Sequence, residues 1–262
     1  MSNWVYAVDM SFDRLSLDEA KLLKLAGVRV LVQALWTAAQ QPPLRVENLR
    51  VAEQAGFTEP GYAIGGYASI NANQPGDWHM DQAIAGIPQD LLGKLKKIAV
   101  DVELRGIKVV DIRKAISYIH DTGKPRDIYT SYNVWMNYLD VRNPQNFTDC
   151  GLWNAFWDNN PDFDFPSLTY GGWRPNQVWG EQWSGGTNVQ GVFVDRNQFR
   201  DDVWGLSVPT APPDPVPPPP PTDAQLLGAE VVWGQIVVQF ALGNYRLGGT
   251  DLMAKAKFLL RI

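Results

Sequence analysis

The stretch KIAVDVELRG, residues 97–106, decides how the rest of the chain is interpreted, because it places two carboxylates inside an apolar run. Successive side chains of a β-strand point to opposite faces. Val100 and Val102 therefore belong to one face, and Asp101 and Glu103 belong to the other. Burying ionised carboxylates is costly unless they are paired or hydrogen-bonded, so two acids on one face of a buried strand require an explanation.

Two neighbouring acids can divide the work of acid catalysis. Each carboxylate disfavours ionisation of the other, so one can keep a proton near neutral pH while the other is ionised. A general acid with an assisting carboxylate needs this arrangement. The simpler alternative is a strand end whose acids face water or pair with Lys or Arg. For Asp101 and Glu103 alone, that alternative is preferred.

The order of strand and helix patterns predicts the fold class. Strand patterns fall at residues 4–11, 28–35, 61–70, 97–104, 126–132, 151–157, 176–184 and 191–197. Helical patterns fall at residues 15–27, 45–57, 81–95 (broken), 109–123 and 133–139. Strands that alternate with helices indicate parallel βαβ units. Eight strands over this length predict an α/β fold, a closed and irregular (β/α)8-type barrel with few helices in its final third.

Four acids fall late in the predicted strands, at the end of the barrel where β/α barrels carry their function. They are Asp9, Asp101, Glu103 and Asp195. Four acids at one barrel mouth are stronger evidence for a site than the D-x-E pair alone. Each has a structural alternative, however: Asp9 could cap the following loop, and Asp195 could form an Asx turn.

Composition argues against several other classes of protein. The net charge is −5 without a basic stripe, which argues against a nucleic-acid partner. Cys150 is the single cysteine, so no intrachain disulfide can form. The two histidines, His79 and His120, are expected at the surface. With so few His and Cys ligands, neither zinc nor another cofactor is predicted.

No membrane span is predicted, because no window of the sequence is apolar for long enough. The first residues lack the basic and apolar regions of a signal peptide. Synthesis in the cytoplasm, with action elsewhere only after release, is therefore expected.

A set of motifs follows in a fixed order along residues 4 to about 204. They are YAVDMS (6–11), GGYASI (65–70), the D-x-E strand, DIYTSYNVW (127–135), LWNAFW (152–157) and EQWSGGTNVQGVFVDRNQF (181–199). Each motif is weak, but the ordered set is specific. It resembles the family 25 glycoside hydrolases, the Chalaropsis-type lysozymes or muramidases that also occur as phage endolysins.

The resemblance implies a fold and an activity. The fold is a barrel of eight strands with fewer helices than usual. The activity is cleavage of the β-1,4 bond between N-acetylmuramic acid and N-acetylglucosamine in the glycan strands of peptidoglycan. It implies that Glu103 is the general acid and that Asp101 stabilises the oxocarbenium-like centre or orients the N-acetyl group. Asp9 and Asp195 would form the floor of the active site and hold its charge and geometry. Direct attack by water and assistance by the N-acetyl group both stay open.

The resemblance also implies substrate-binding residues, namely Tyr67, Tyr129, Trp153, Gln182 and Trp183. The aromatic members of this set could instead be barrel core, which is the usual place for such side chains.

Two regions depart from the family pattern. VQALWTAAQ (32–40) has Gln33 and Trp36 where a basic and an acidic residue are common, and residues 71–90 match poorly. The alternative function is a non-catalytic barrel that binds glycan or builds a larger assembly. Retention of all four acids favours the enzyme, because binding alone needs no proton donor.

The sequence predicts three parts: a barrel over residues 1–207, a proline-rich linker over 208–223, and a small segment over 224–262. The linker should form a stiff polyproline II spacer. The last segment holds two apolar stretches, in a helical hairpin or as strands, and is too small for an independent core. It is expected to form a homo-oligomer or to dock a protein partner, with wall anchoring as the alternative.

Overall fold

A computed structural model describes residues 4–139, 147–161 and 170–206, which form a closed barrel of eight strands. The strands are β1 (Trp4–Met10), β2 (Val30–Thr37), β3 (Ala63–Ser69), β4 (Leu95–Asp101), β5 (Asp127–Thr130), β6 (Gly151–Ala155), β7 (Val178–Val189) and β8 (Val192–Arg200). The linker and the segment 224–262 lie outside the described residues, so the division into three parts stays a prediction.

The helices fall in the predicted regions, except that the broken segment 81–95 begins earlier, at Gly76, and the four-residue last helix was not predicted. They are α1 (Leu17–Leu25), α2 (Arg45–Gln54), α3 (Gly76–Ile84), α4 (Gln89–Lys94), α5 (Val109–Asp121), α6 (Tyr132–Asn137) and α7 (Asp201–Trp204), with a 3-10 turn at Pro175–Gln177. Past β6, the only helical segments among the described residues are that turn and the four-residue α7. The irregular α/β barrel with reduced helices is therefore confirmed.

The direction of the last strand corrects one part of the prediction. Strands β1 to β7 pair in sequence order and in parallel, but β8 runs antiparallel to both β7 and β1. Asp195 was expected late in its strand, yet β8 continues to Arg200. Asp195 reaches the barrel mouth because β8 runs the other way, so that an early residue of this strand lies there.

The alternation in β4 follows the two faces assigned from the sequence. Ile98, Val100 and Val102 pack in the layer between strands and helices, whereas Ala99 packs with the residues inside the barrel. Leu104 is exposed, because regular strand structure ends at Asp101. The acids therefore project from the inner face, at the point where the strand opens into a loop.

Local signals in the sequence explain how the helices begin and end. Ser16 and Glu19 form a reciprocal capping box at the start of α1. Gly27 follows this helix with a φ of 89°, a left-handed conformation that glycine adopts without strain. No helix among the described residues is long and apolar enough to cross a bilayer.

One of the two histidines was misplaced by the sequence analysis. His120 is exposed as expected, but His79, on α3, is completely buried. Its Nδ1 accepts a hydrogen bond from the Trp36 indole at 2.9 Å, and its Nε2 lies 3.2 Å from the Asn71 side-chain oxygen. Burial lowers the pKa of His79, so the imidazole is neutral and joins β2, the loop after β3 and α3.

Gln33 and Trp36 are the two residues that depart from the family pattern, and Gln33, like Trp36, has a packing role. Its amide donates to the carbonyl of Ser11 at 2.8 Å and accepts from Asn48 at 2.9 Å. Asn48 in turn donates to the carbonyl of Asp13. This side-chain network therefore fixes the loop that follows Asp9.

Candidate active site

The four predicted acids lie together in one cleft of about 180 Å³. Asp9 comes from β1, Asp101 from the end of β4, Glu103 from just beyond β4, and Asp195 from β8. The remaining residues that line it are Tyr67, Tyr129, Trp153, Trp157 and Gln182. The volume is below the roughly 300–1,000 Å³ of most small-molecule sites, so the cleft can enclose a reacting centre but not a long substrate.

Strand pairing brings the acids close to one another. Asp9 and Asp195 are paired positions on β1 and β8. Asp101 pairs with Ser69 on one side and with Tyr129 on the other. The barrel itself, rather than mobile loops, therefore positions three of the four acids.

Asp9 is buried and held by amide donors. One of its oxygens, Oδ2, accepts hydrogen bonds from Asn197 at 2.7 Å and from Gln182 at 2.9 Å. Burial, and next the neighbouring Asp195 carboxylate, raise the pKa of Asp9 to about 8, although the two amides favour the ionised form. Asp9 therefore holds a proton at neutral pH.

Gln182 connects both sides of the cleft. Its amide nitrogen donates to Asp9 and, at 3.3 Å, to Asp195. Its oxygen accepts from the Tyr129 hydroxyl at 2.7 Å and from the Trp157 indole at 2.6 Å. One buried amide therefore fixes two acids and two aromatic side chains relative to each other.

Asp101 has one hydrogen-bonded oxygen and one without a partner. The Ser69 hydroxyl donates to Oδ2, whereas Oδ1 is buried with no partner among the described residues. Burial, and next the Glu103 carboxylate, raise the pKa of Asp101 well above its usual range, and the Ser69 hydrogen bond opposes this. A buried acceptor without a donor costs free energy, which a donor on a bound molecule would recover.

Glu103 is the half-buried member of the D-x-E pair. Burial raises the pKa of Glu103, the Tyr129 hydroxyl beside it lowers it, and Asp195 adds to the increase. Glu103 therefore keeps a proton to higher pH than a free glutamic acid does. Burial also raises the pKa of Asp195, against a hydrogen bond from the Gly186 backbone.

Charge is not balanced in this cleft. Across the described ranges, no Lys or Arg forms an ion pair with any of the four acids. In that same part of the chain, no three His, Cys, Asp or Glu side chains are arranged to hold a metal ion. The repulsion between carboxylates is relieved by protons and by neutral donors.

The predicted aromatic residues divide between the cleft and the outside of β7. Tyr67, Tyr129 and Trp153 line the cleft, and the Trp153 indole donates to Asn197 at 2.9 Å. Trp183 does not line it. Since Gln182 points inward, its neighbour in the strand points away, and the Trp183 ring lies 5.5 Å from the Arg196 guanidinium.

Sequence reasoning missed two residues of the site. Ser69 closes the GGYAS segment that singled out Tyr67, and its position opposite Asp101 is visible only from the strand register. Trp157 stands at the end of LWNAFW, past the last residue of β6. Its place so close after a strand's carboxyl end was the available signal.

Comparisons with known proteins identify the fold. No family model and no curated protein matches the chain. Among solved structures, a family GH25 lysozyme from Aspergillus fumigatus is 17% identical with a TM-score of 0.62, over 79% of this chain and 100% of that one. A family 25 glycosyl hydrolase from Bacillus anthracis is 15% identical with a TM-score of 0.58, over 78% and 94%.

A bacterial lysozyme from Streptomyces coelicolor is 20% identical with a TM-score of 0.61, over 77% of this chain and 96% of that one. The barrel has the family 25 lysozyme fold. Each of these family 25-like structures is matched over nearly its whole length, so the likeness covers a complete barrel. At these identities it establishes the fold, and the chemistry has to be argued from the cleft.

Proposed function

We propose that the barrel is a peptidoglycan hydrolase, a muramidase that cleaves the β-1,4 bond between N-acetylmuramic acid and N-acetylglucosamine. The observation that carries the proposal is the convergence of Asp9, Asp101, Glu103 and Asp195 in one cleft without a paired cation in the described chain. Solved structures of the same fold are described as lysozymes and muramidases, which supports the same substrate class.

Glu103 is the proton donor in this proposal. A general acid must keep its proton until the bond breaks and must be able to reach the leaving oxygen. Glu103 has a raised pKa, is half-buried and lines the cleft. Its proton passes to the oxygen of the scissile glycosidic bond as that bond lengthens.

Asp101 is the assisting carboxylate. Ser69 donates to one of its oxygens and so favours the ionised form, against the burial and the neighbouring Glu103 that raise the pKa of Asp101 well above its usual range. Asp101 lines the cleft, and its carboxylate accepts the N–H of the substrate's N-acetyl group once the side chain turns the buried, unpartnered Oδ1 towards the substrate. An ionised Asp101 also stabilises the positive charge that develops on the sugar ring.

Asp9, Asp195 and Gln182 form the floor. Because Asp9 holds a proton at neutral pH, the Asp9–Asp195 pair carries less negative charge than two free carboxylates. Gln182 fixes both acids through its amide nitrogen. The floor thus maintains the geometry of the reacting end, and the Asp195 carboxylate helps Glu103 to keep its proton.

The test is digestion of purified peptidoglycan, followed by mass spectrometry of the soluble products. Muramidase activity gives fragments with N-acetylmuramic acid at the reducing end, and Glu103→Gln releases them about 10²–10⁴-fold more slowly. Fragments that end in N-acetylglucosamine contradict the proposed linkage. An absence of products with retained binding to the glycan contradicts the enzyme and supports the non-catalytic barrel.

A further inference from the structure

Trp157 is a large aromatic side chain that the barrel leaves 65% exposed. Single exposed hydrophobic residues are common and usually need no explanation. Trp157 differs because it lines the acid cleft. The adjacent Phe156 is 50% exposed but does not line the cleft, which makes the pair a natural comparison.

The Trp157 side chain is held in place despite its exposure. Its indole N–H donates to the buried Gln182 oxygen at 2.6 Å. The ring lies over Gly185, where an added Cβ would stand 3.6 Å from two of its ring carbons. The ring therefore has a hydrogen bond at one edge and backbone below it.

The backbone around Trp157 is also fixed. The amide of Phe156 donates to the Gln182 carbonyl at 2.9 Å, and the amide of Asn159 donates to the Trp183 carbonyl at 3.0 Å. The segment after β6 thus continues to pair with β7 on both sides of Trp157. An aromatic surface held in one orientation loses little conformational entropy when a ligand packs on it.

We propose that Trp157 is a preorganised platform on which one sugar ring of the glycan strand stacks, beside the acid cluster. The inference rests on the proposed function. A sugar ring offers C–H groups on its faces and hydroxyls at its edge, which matches an indole with an apolar face and an anchored N–H. Because Trp157 shares the cleft with Glu103 and Asp195, the stacked sugar is one of the two joined by the scissile bond.

The test measures binding separately from turnover. Calorimetry is performed on the Glu103→Gln protein, with a peptide-free tetrasaccharide of alternating N-acetylglucosamine and N-acetylmuramic acid as the probe. Adding Trp157→Ala should weaken binding about tenfold, since it removes the stacking surface. Trp157→Phe keeps a ring but loses the N–H, so it should weaken binding about threefold. Phe156→Ala is the matched control and should stay within twofold of the parent.

Each outcome separates the two proposals. If the parent binds the tetrasaccharide and Trp157→Ala binds equally well, the platform is overturned while the proposed function stands. Equal losses in Trp157→Ala and Trp157→Phe also overturn it, because they assign the effect to the Gln182 hydrogen bond. A parent that binds no glycan overturns the proposed function itself. With Glu103 intact, Trp157→Ala should raise KM and leave kcat within a few-fold.

Discussion

The two ends of the barrel bury charge in opposite ways. At the bottom, Lys97 and Asp127 form an ion pair at 2.8 Å, with their side chains 4% and 3% exposed. The Lys97 ammonium also lies 4.8 Å from the centre of the Trp179 ring. At the mouth, Asp9 and Asp101 are equally buried, but their charged neighbours are other acids.

The difference separates a charge arrangement that supports the fold from one that opposes it. An opposite pair with good geometry recovers much of what its burial costs. Like charges recover nothing from each other, so the acids at the mouth must hold protons or destabilise the barrel. A cluster of buried acids lowers the stability of the fold, and active sites commonly carry such a cost. The cluster therefore favours a reactive site at this end of the barrel.

The largest expected effect is at the mouth and concerns rate. Glu103→Gln should lower glycan hydrolysis by about 10²–10⁴-fold, because the amide has the same shape but cannot donate a catalytic proton. Turnover of peptidoglycan and thermal unfolding are measured together. Glu59→Gln removes a surface partner of Lys24 and should leave the rate unchanged. Near-normal turnover by Glu103→Gln would remove the assignment of the proton donor.

The next effect is at the bottom and concerns stability. Lys97→Met should lower the free energy of unfolding by about 3–5 kcal/mol, because it leaves Asp127 buried without a counter-charge. Urea unfolding measures this loss. Arg14→Met, which breaks an exposed pair with Glu47, should cost about 0–1 kcal/mol. A small loss of unfolding free energy in Lys97→Met would contradict the stabilising role of this ion pair. A drop in activity per folded molecule would contradict its separation from the active site.

The third effect tests whether the mouth opposes folding. The pKa of Asp9 is raised from 3.8 to about 8 in the folded chain. Below pH 4 both states hold the proton. Between pH 4 and 8 the unfolded chain releases it and the folded chain does not, so stability falls as pH rises. Asp9→Asn should remove this pH-dependent loss. Compared with the parent, the variant should therefore gain stability between pH 5 and pH 8.5, on the order of a few kcal/mol.

Unfolding midpoints at the two pH values measure this effect. Asp13→Asn, which changes an exposed acid in the following loop, is the control and should keep the slope of the parent. If Asp9→Asn destabilises the protein equally at both pH values, Asp9 serves the fold through its hydrogen bonds and the contrast with the bottom weakens.

The smallest effect sharpens the division of labour within the D-x-E pair. Ser69→Ala removes the donor to Asp101, so the pKa of Asp101 should rise further and the acidic limb of the rate profile should move to higher pH. We expect the hydrolysis rate at the pH optimum to fall about tenfold, which is near the contribution of one hydrogen bond to a charged group. Ser69→Thr keeps the hydroxyl and should restore the profile. Ser184→Ala, whose hydroxyl bonds to Asn159, should not shift it.

The sequence predicted the parts of this site that follow strand direction. Asp9 and Asp101 end parallel strands, and the barrel brings such ends together whatever the loops do. Asp195 was also selected as a residue late in a parallel strand, but β8 is antiparallel and Asp195 lies early in it. The direction of this closing strand is set by the hairpin that joins it to β7. Sequence pattern alone does not reveal which neighbour a strand pairs with.

Side-chain direction was harder to predict than position along the chain. Trp183 and Trp157 are both aromatic and both lie near the mouth, yet only Trp157 enters the cleft. The register of β7 shifts between Gln182 and Ser184, and Trp157 stands past the regular part of β6, where alternation no longer applies. His79 was expected at the surface, and the hydrogen bond that shows otherwise comes from Trp36, 43 positions away, which no local pattern reveals.

The antiparallel pairing of β8 with β1 also has a consequence for folding. Asn197 donates to Asp9 across 188 positions of chain, so the floor forms only when the last strand docks onto the first. Contacts between such distant residues form slowly, because a long loop must close before they contribute. A nascent chain that has emerged only as far as β7 has neither Asp195 nor this donor. The site is thus completed by the same event that closes the barrel.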